Sequence, residues 1–438
     1  MRLTFVLGLV SSFAAAAATV PSSVTFSKDV APILQKNCQS CHRPGEAAPM
    51  PLLTYQQARP WAKAIKEAVL LKKMPPWFAD PHYGKFRNDR TMSQAEISTL
   101  VAWADSGAPE GDPKNLPAPA SFIDGWNIGK PDVEVAMTSA FHIPAAGTIE
   151  YQYVIVPTHF TEDRWVQAAE IRPGNRALVH HVIAFLRPPE SKWFRDHQPG
   201  EIFVPEKQDH RAANGNRRNN DESGGEMLAG YAPGLPAGIL APGQARLVKA
   251  GSDIVFQLHY TANGKPGDDL SKVGLVFSKE PPRQRVMTLA AQNRKFVIPA
   301  GDPNYRVDAE FEMGHDAQLV AMLPHMHLRG KDFEYRAVYP TGESQMLLKV
   351  PRYDFSWQLW YMPQDQLMLP KGTRIECTAH FDNSVNNPGN PDAAKEVRWG
   401  DQSWEEMMIG FFDVAFDAHM DPKSLFPEKK KQKNDSAD

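Results

Sequence analysis

The stretch Leu323-Pro324-His325-Met326-His327-Leu328-Arg329-Gly330-Lys331 decides how this chain reads. Gln318-Leu319-Val320-Ala321-Met322 precedes it and Phe333-Glu334-Tyr335-Arg336-Ala337-Val338-Tyr339 follows. Both flanks are rich in β-branched, aromatic and long apolar residues, which predicts two strands. Residues i and i+2 of a strand share a face, so His325 and His327 are expected to point the same way. Two imidazoles held that close suit copper, zinc, iron or nickel. The same pair also reads as two half-buried sheet histidines bonded to backbone groups, so its weight comes from its company. Arg329 beside it reads as an exposed strand-end arginine, with a carboxylate partner as its other use.

Three further clusters flank the pair. They are Val179-His180-His181-Val182-Ile183-Ala184-Phe185, Val255-Phe256-Gln257-Leu258-His259-Tyr260 and Trp404-Glu405-Glu406-Met407-Met408-Ile409-Gly410-Phe411-Phe412. Each alone has a plain explanation as core. Adjacent residues of an ideal strand face opposite ways, so His180 and His181 share a metal only at a bulge or strand end. His380, in a later strand, reads either as a strand histidine or as a neighbour of the Met407 segment. Strands are also expected over 148–156, 166–170, 177–186 and 253–260. With 38 prolines and 29 glycines spread along 438 residues, the texture is that of an all-β body of short strands and turns.

The beginning of the chain differs. Cys38-Gln39-Ser40-Cys41-His42 is a CxxCH motif, the attachment signature of c-type haem, in which two thiols bind the haem vinyls and the histidine reaches iron. A redox CxxC or half of a zinc site fits less well, because no βαβ pattern surrounds it and no second CxxC follows. Residues 61–71 have helical apolar spacing, and Ser93-Gln94-Ala95-Glu96 is a capping box opening a helix that Gly107 stops. Met74, between those helices, is the candidate sixth iron ligand, with Met50, Met92 and His82 as its rivals. The segment resembles small c-type cytochromes.

Composition bounds the rest. A net charge of −3 excludes the strongly basic face that nucleic-acid binding needs. Arg2, the apolar run 3–17 and Ala16-Ala17-Ala18 read as an export signal, placing the protein in the periplasm or outside the cell. No other stretch approaches 18 continuous apolar residues, so no membrane span is expected. The remaining cysteine, Cys377, reads as a small buried residue on a strand.

Over roughly 130–415 the order of motifs resembles the type II copper, ascorbate-dependent monooxygenases, such as peptidylglycine α-hydroxylating monooxygenase and dopamine β-hydroxylase. The resemblance rests on His180-His181, then Leu235-Pro236-Ala237-Gly238 ahead of Gln257-Leu258-His259-Tyr260, then His325-Met326-His327 with Gly330-Lys331, then Glu406-Met407. It implies two copper ions, one held by His180, His181 and His259, the other by His325, His327 and Met407, with Met408 the adjacent alternative. It implies two jelly-roll-like sandwiches facing a solvent cleft.

The expected fold class is therefore a multidomain chain: a small all-α cytochrome c-like domain followed by two mainly-β sandwich domains. The boundaries are a signal at 1–18, the cytochrome domain at 24–110, a Pro-rich linker at 111–125, sandwiches at 126–285 and 286–425, and a charged tail at 426–438. The implied activity is hydroxylation of a C–H bond of a small-molecule or peptide substrate with O2. Electrons would come from ascorbate or a redox protein and pass through the haem. The rival class is a non-hydroxylating haem/copper electron-transfer or copper-handling protein. The chain departs from the animal enzymes in lacking their many disulfides and in carrying the haem motif.

Overall fold

The computed structural model describes residues 24–46, 48–123, 125–205 and 225–427. The expected export signal, nearly all of the polar loop at 214–225 and most of the charged tail lie outside the described residues.

The structure corrects the expected fold class. Among the described residues the chain is mostly β, and no self-contained all-α, cytochrome-like domain precedes the sheets. The helices there are short: Ala31–Asn37, Tyr55–Ala58, Ala62–Leu70 and Gln94–Asp105, of 7, 4, 9 and 12 residues. Their ends are well made. Ser93 and Glu96 form the reciprocal capping box of the longest helix, and Gly107, at φ +87°, follows its end. Their small core centres on Phe26, Leu34, Leu100 and Trp103. Residues 77–88 leave that core. Phe78 and Phe86 are buried instead among Leu347, Tyr361 and the rest of the C-terminal sandwich core. Main-chain bonds fix the graft: Asp80 N–H to Lys349 C=O at 2.8 Å and Arg87 N–H to Met362 C=O at 2.9 Å. Large aromatics in a segment without helical or strand period needed a surface to cover, and sequence alone could not show which.

The two sandwiches are not separate either. A nine-stranded sheet runs through both, in the order Val133–Ala136, Lys272–Phe277, Arg164–Arg172, Gln244–Val248, Gln284–Asn293, Met408–Asp417, Ala317–His325, Leu367–Leu369, with Gly238–Ile239 beside Arg164–Arg172. The junction is a parallel pairing of Gln244 with Gln284 and Ala245 with Arg285. Ion pairs reinforce the seam, Arg246 to Asp413 at 2.5 Å and Arg285 to Glu226 at 2.8 Å. All four side chains are largely buried, so losing one partner strands a charge.

A five-stranded sheet covers the first half of that sheet: Ile202–Phe203, Gln152–Pro157, Asp253–Tyr260, Val179–Arg187 and Glu226–Tyr231. A four-stranded sheet covers the second half: Tyr305–Glu312, Arg374–Phe381, Gly330–Val338 and Ser344–Val350. The strand Asp253–Tyr260 shows how the first core positions the site. Ile254, Phe256, Leu258 and Tyr260 face the nine-stranded sheet, while Val255 packs on the opposite face with Tyr151, Tyr153, Ile155 and Phe203. Each fully buried side chain of this size contributes about 1.5–3 kcal/mol. The outer face, which bears His259, is therefore buried as well. No described helix is long and apolar enough to cross a membrane.

Candidate metal centre

His181 pairs directly with His259, but Tyr260 pairs with Val179, so His180 is an extra residue at a bulge. The bulge turns His180 toward its neighbour's side of the strand. The three histidines thereby meet. Their ring centroids are 4.9–5.4 Å apart, and one ligand atom from each lies within 4.8 Å of the others. His180 Nδ1 and His181 Nδ1 are 3.2 Å apart. Two nitrogens each about 2.0 Å from one ion would stand about 3.3 Å apart at a tetrahedral angle. His259 Nδ1 is buried without a hydrogen-bond partner, whereas its Nε2 lies 3.4 Å from the Ser403 hydroxyl. The donor set fits a metal bound through the Nδ1 atoms.

His325 ends its strand, and His327 lies two residues on, before the turn at 328–329. Their centroids are 5.3 Å apart with planes at 89°. His325 Nδ1 lies 2.7 Å from Gln358 Oε1, and His327 Nδ1 lies 3.3 Å from the Glu405 carbonyl. Those acceptors place the proton on Nδ1 and leave Nε2 for a metal. His327 Nε2 is indeed buried without a partner.

Register separates the two methionines. His325 pairs with Ile409, and its ring lies 6.0 Å from that of Phe411. Ile409 and Phe411 thus share the face of His325, and Met407, two residues earlier, precedes them on that side. Met408 alternates to the opposite face and is fully buried in the core. Met407, half-buried, lies just before the strand that carries Ile409 and Phe411.

The two groups adjoin. The Tyr151 ring is 4.6 Å from His259, 5.3 Å from His181 and 6.5 Å from His327. Phe355 stacks on His180 at 5.2 Å and lies 6.0 Å from both His259 and His327. Burial lowers every imidazole pKa, His180 to about 4, His259 to about 3 and His325 to about 4. All are neutral and ready to ligate at neutral pH.

Glu406 is buried under the second pair. Its carboxylate accepts the His327 N–H at 2.9 Å and the Arg329 N–H at 2.6 Å. Burial pushes its pKa up to about 8. Arg329 is not the exposed strand-end residue expected; it is 2% exposed and donates to Asn383 and to the Trp404 carbonyl. His380 lies 2.7 Å from Asp332 on the four-stranded sheet and is a strand histidine.

At the CxxCH segment, Cys38 and Cys41 are free thiols, and burial pushes Cys38 up to about 12. His42 Nδ1 lies 3.1 Å from the Met50 carbonyl, which leaves Nε2 available. The segment is docked, not loosely tethered. Glu46 pairs with Arg43 at 2.8 Å and with Arg176, four positions before His180. Gln35 bonds the Ala118 carbonyl and Arg43 lies over the Phe122 ring, so the Pro-rich stretch runs along the helices. Met74 is half-buried just beyond the Ala62–Leu70 helix. Met92 is buried in the helical core and His82 is exposed beside Asp80.

Sequence reasoning missed Tyr151, Phe355, Gln358 and Ser403. A Tyr-x-Tyr alternation before an apolar strand was the one available signal, for Tyr151.

No protein-family model matches the chain, and no curated protein does. Among solved structures it is similar to PNGF-II in a C2 space group, at 10% identity over 66% of this chain and 66% of that one, TM-score 0.29. It is also similar to PBCV-1 VP54 fitted into a reconstruction of the virophage Sputnik, at 7% identity over 69% and 100%, TM-score 0.24. A third is the infectious bursal disease virus VP2 subviral particle, at 10% identity over 70% and 76%, TM-score 0.18. Likenesses this slight carry no argument about fold or chemistry.

Proposed function

We propose that the chain is an exported two-copper monooxygenase similar to the type II, ascorbate-dependent enzymes, fed with electrons through a c-type haem. One observation carries the reading. Four imidazoles from both sandwiches, His180, His181, His259 and His327, meet around two rings, with His325 beside His327 and buried nitrogens of His259 and His327 left without partners. His180, His181 and His259 would hold one copper, and His325, His327 and Met407 the other. Two imidazoles and a thioether are a softer set than three imidazoles, which favours Cu(I) at the O2-facing site. Neither set has the carboxylate ligand common in zinc hydrolases. Cys38 and Cys41 would hold the haem covalently, and His42 and Met74 would be its iron ligands. The raised pKa of Cys38 argues against a redox dithiol, which needs a thiolate.

Copper held there supplies one-electron redox steps and O2 binding, so that a C–H bond, O2, two electrons and two protons become an alcohol and water. The protein does the rest. Burial keeps the imidazoles unprotonated, so no proton competes for their lone pairs. Gln358 and the Glu405 carbonyl hold the Nδ1 protons of the second pair. Tyr151 and Phe355 pack against imidazoles of both groups. Glu46, clamped between Arg43 and Arg176, fixes the CxxCH segment to the stretch that leads into His180. Ascorbate or a redox protein would reduce the haem from outside.

A second reading, electron transfer without hydroxylation, draws on the same two rings, because they pack directly against both histidine groups. Stopped-flow mixing of pre-reduced protein with O2 tests both. Substrate-dependent O2 uptake with haem reoxidation is the expected result. Haem–copper exchange without product selects the second reading. Haem that stays reduced while copper reoxidises over many turnovers refutes the relay.

A further inference from the structure

Residues 402–407 touch both histidine groups. At one end, Ser403 Oγ lies 3.4 Å from His259 Nε2 and donates to the Tyr151 hydroxyl at 3.3 Å. Gln402 Oε1 accepts the Tyr151 N–H at 3.2 Å. At the other end, the Glu405 carbonyl lies 3.3 Å from His327 Nδ1 and the Glu406 carboxylate accepts the His327 N–H. The Trp404 carbonyl accepts Arg329, and Glu405 Oε2 accepts the Gln402 N–H at 3.0 Å, tying one end to the other. Met407 comes next. This irregular segment belongs to the C-terminal sandwich, yet His259 belongs to the N-terminal one.

We infer that this segment is a strap through which metal binding at one site strengthens binding at the other, with Ser403 a positioning residue for the first. The inference rests on the two-copper reading above. A metal on His259 Nδ1 fixes the tautomer whose Nε2–H donates to Ser403, and Ser403 in turn donates to Tyr151. The anchored strap then presents the Glu405 carbonyl to His327 Nδ1, which frees Nε2 for the second metal. Coupling of this kind is reciprocal, and two-site coupling commonly amounts to about 5–150-fold.

The test titrates the metal-free full chain anaerobically with Cu(I) against a chromophoric chelator, in wild type, His180→Ala, Ser403→Ala and Ser403→Thr. Amide exchange over 400–407 is followed in parallel. We expect second-site affinity to fall at least about fivefold in His180→Ala. Ser403→Ala should weaken the first site about tenfold, as loss of an outer partner does, and abolish the dependence of one site on the other. Ser403→Thr keeps the hydroxyl and should restore both. Amides of the strap should slow on loading the first site of wild type, and not of Ser403→Ala. Two coppers bound with equal second-site affinity in all four proteins overturns the strap alone. No copper bound by wild type overturns the reading beneath it as well.

Discussion

Asp269 offers the sharpest test of how the fold builds the first site. It is 1% exposed and accepts four hydrogen bonds. Oδ1 takes the N–H groups of Gly174 and Asn175 at 2.7 and 3.0 Å. Oδ2 takes the hydroxyls of Tyr260 and Ser271 at 3.0 and 2.8 Å. Tyr260 adjoins His259, and the Asn175 carbonyl accepts the Leu178 and Val179 N–H groups just before His180. One carboxylate therefore fastens both arms of the three-histidine group. In Asp269→Ala the hydroxyls can turn elsewhere, but the two backbone donors lose a charged acceptor, at about 1.5–3 kcal/mol each. The variant should lose about 3–5 kcal/mol of unfolding free energy. Asp269→Asn keeps one acceptor for the amides, and its NH2 can donate to the hydroxyls, so it should lose only about 1 kcal/mol. Urea unfolding of the metal-free protein reads both, and copper retention after dialysis reads the site. The reasoning fails if Asp269→Ala lies within 1 kcal/mol of wild type, or if Asp269→Asn is as damaging. It fails for the site if Asp269→Ala retains its first copper as wild type does.

Other predictions follow from the same geometry. Met407→Leu should weaken Cu(I) binding at the second site at least about tenfold, or ~1.4 kcal/mol, while Met408→Leu, a volume-conserving core change, should leave that affinity alone; chelator competition separates them. The Lys36 ion pair and the Ser93 cap hold Glu96 down to about 2. Its folded pKa lies below its unfolded one, so its contribution is present above pH ~4.5 and lost as pH falls toward 2. Circular dichroism on acidification should show Glu96→Gln losing helix at higher pH than wild type. Arg176 and Glu46 are both mostly buried in their pair, so a double-mutant cycle with Arg176→Ala and Glu46→Ala should give a coupling of about 1 kcal/mol. The singles should also slow haem-to-copper electron transfer, and a cycle that closes to zero would remove the dock.

What the sequence made legible were side chains with a stated chemistry. A His-His pair sharing a metal required a bulge or a strand end, and the register break opposite His259 is a bulge. Which way Met407 and Met408 face was hidden because it depends on pairing with the His325 strand, a contact between residues more than 80 positions apart. The fusion of the sandwiches was hidden for the same reason, since Gln244 and Gln284 carry no sign that their strands run side by side. The all-α reading of the N-terminal region failed at Phe78 and Phe86, whose burial depends on a distant surface. Arg329 was misread because its partners, Asn383 and the Trp404 carbonyl, lie far along the chain.

The most direct measurement is metal stoichiometry: elemental analysis of copper-loaded protein, with a visible spectrum, in wild type and His259→Ala. The account expects two coppers and one iron per chain, falling to one copper in the variant with iron unchanged. Copper that never exceeds trace levels, or that is unaffected by removing the imidazole of residue 259, would mean these histidines only fill a core.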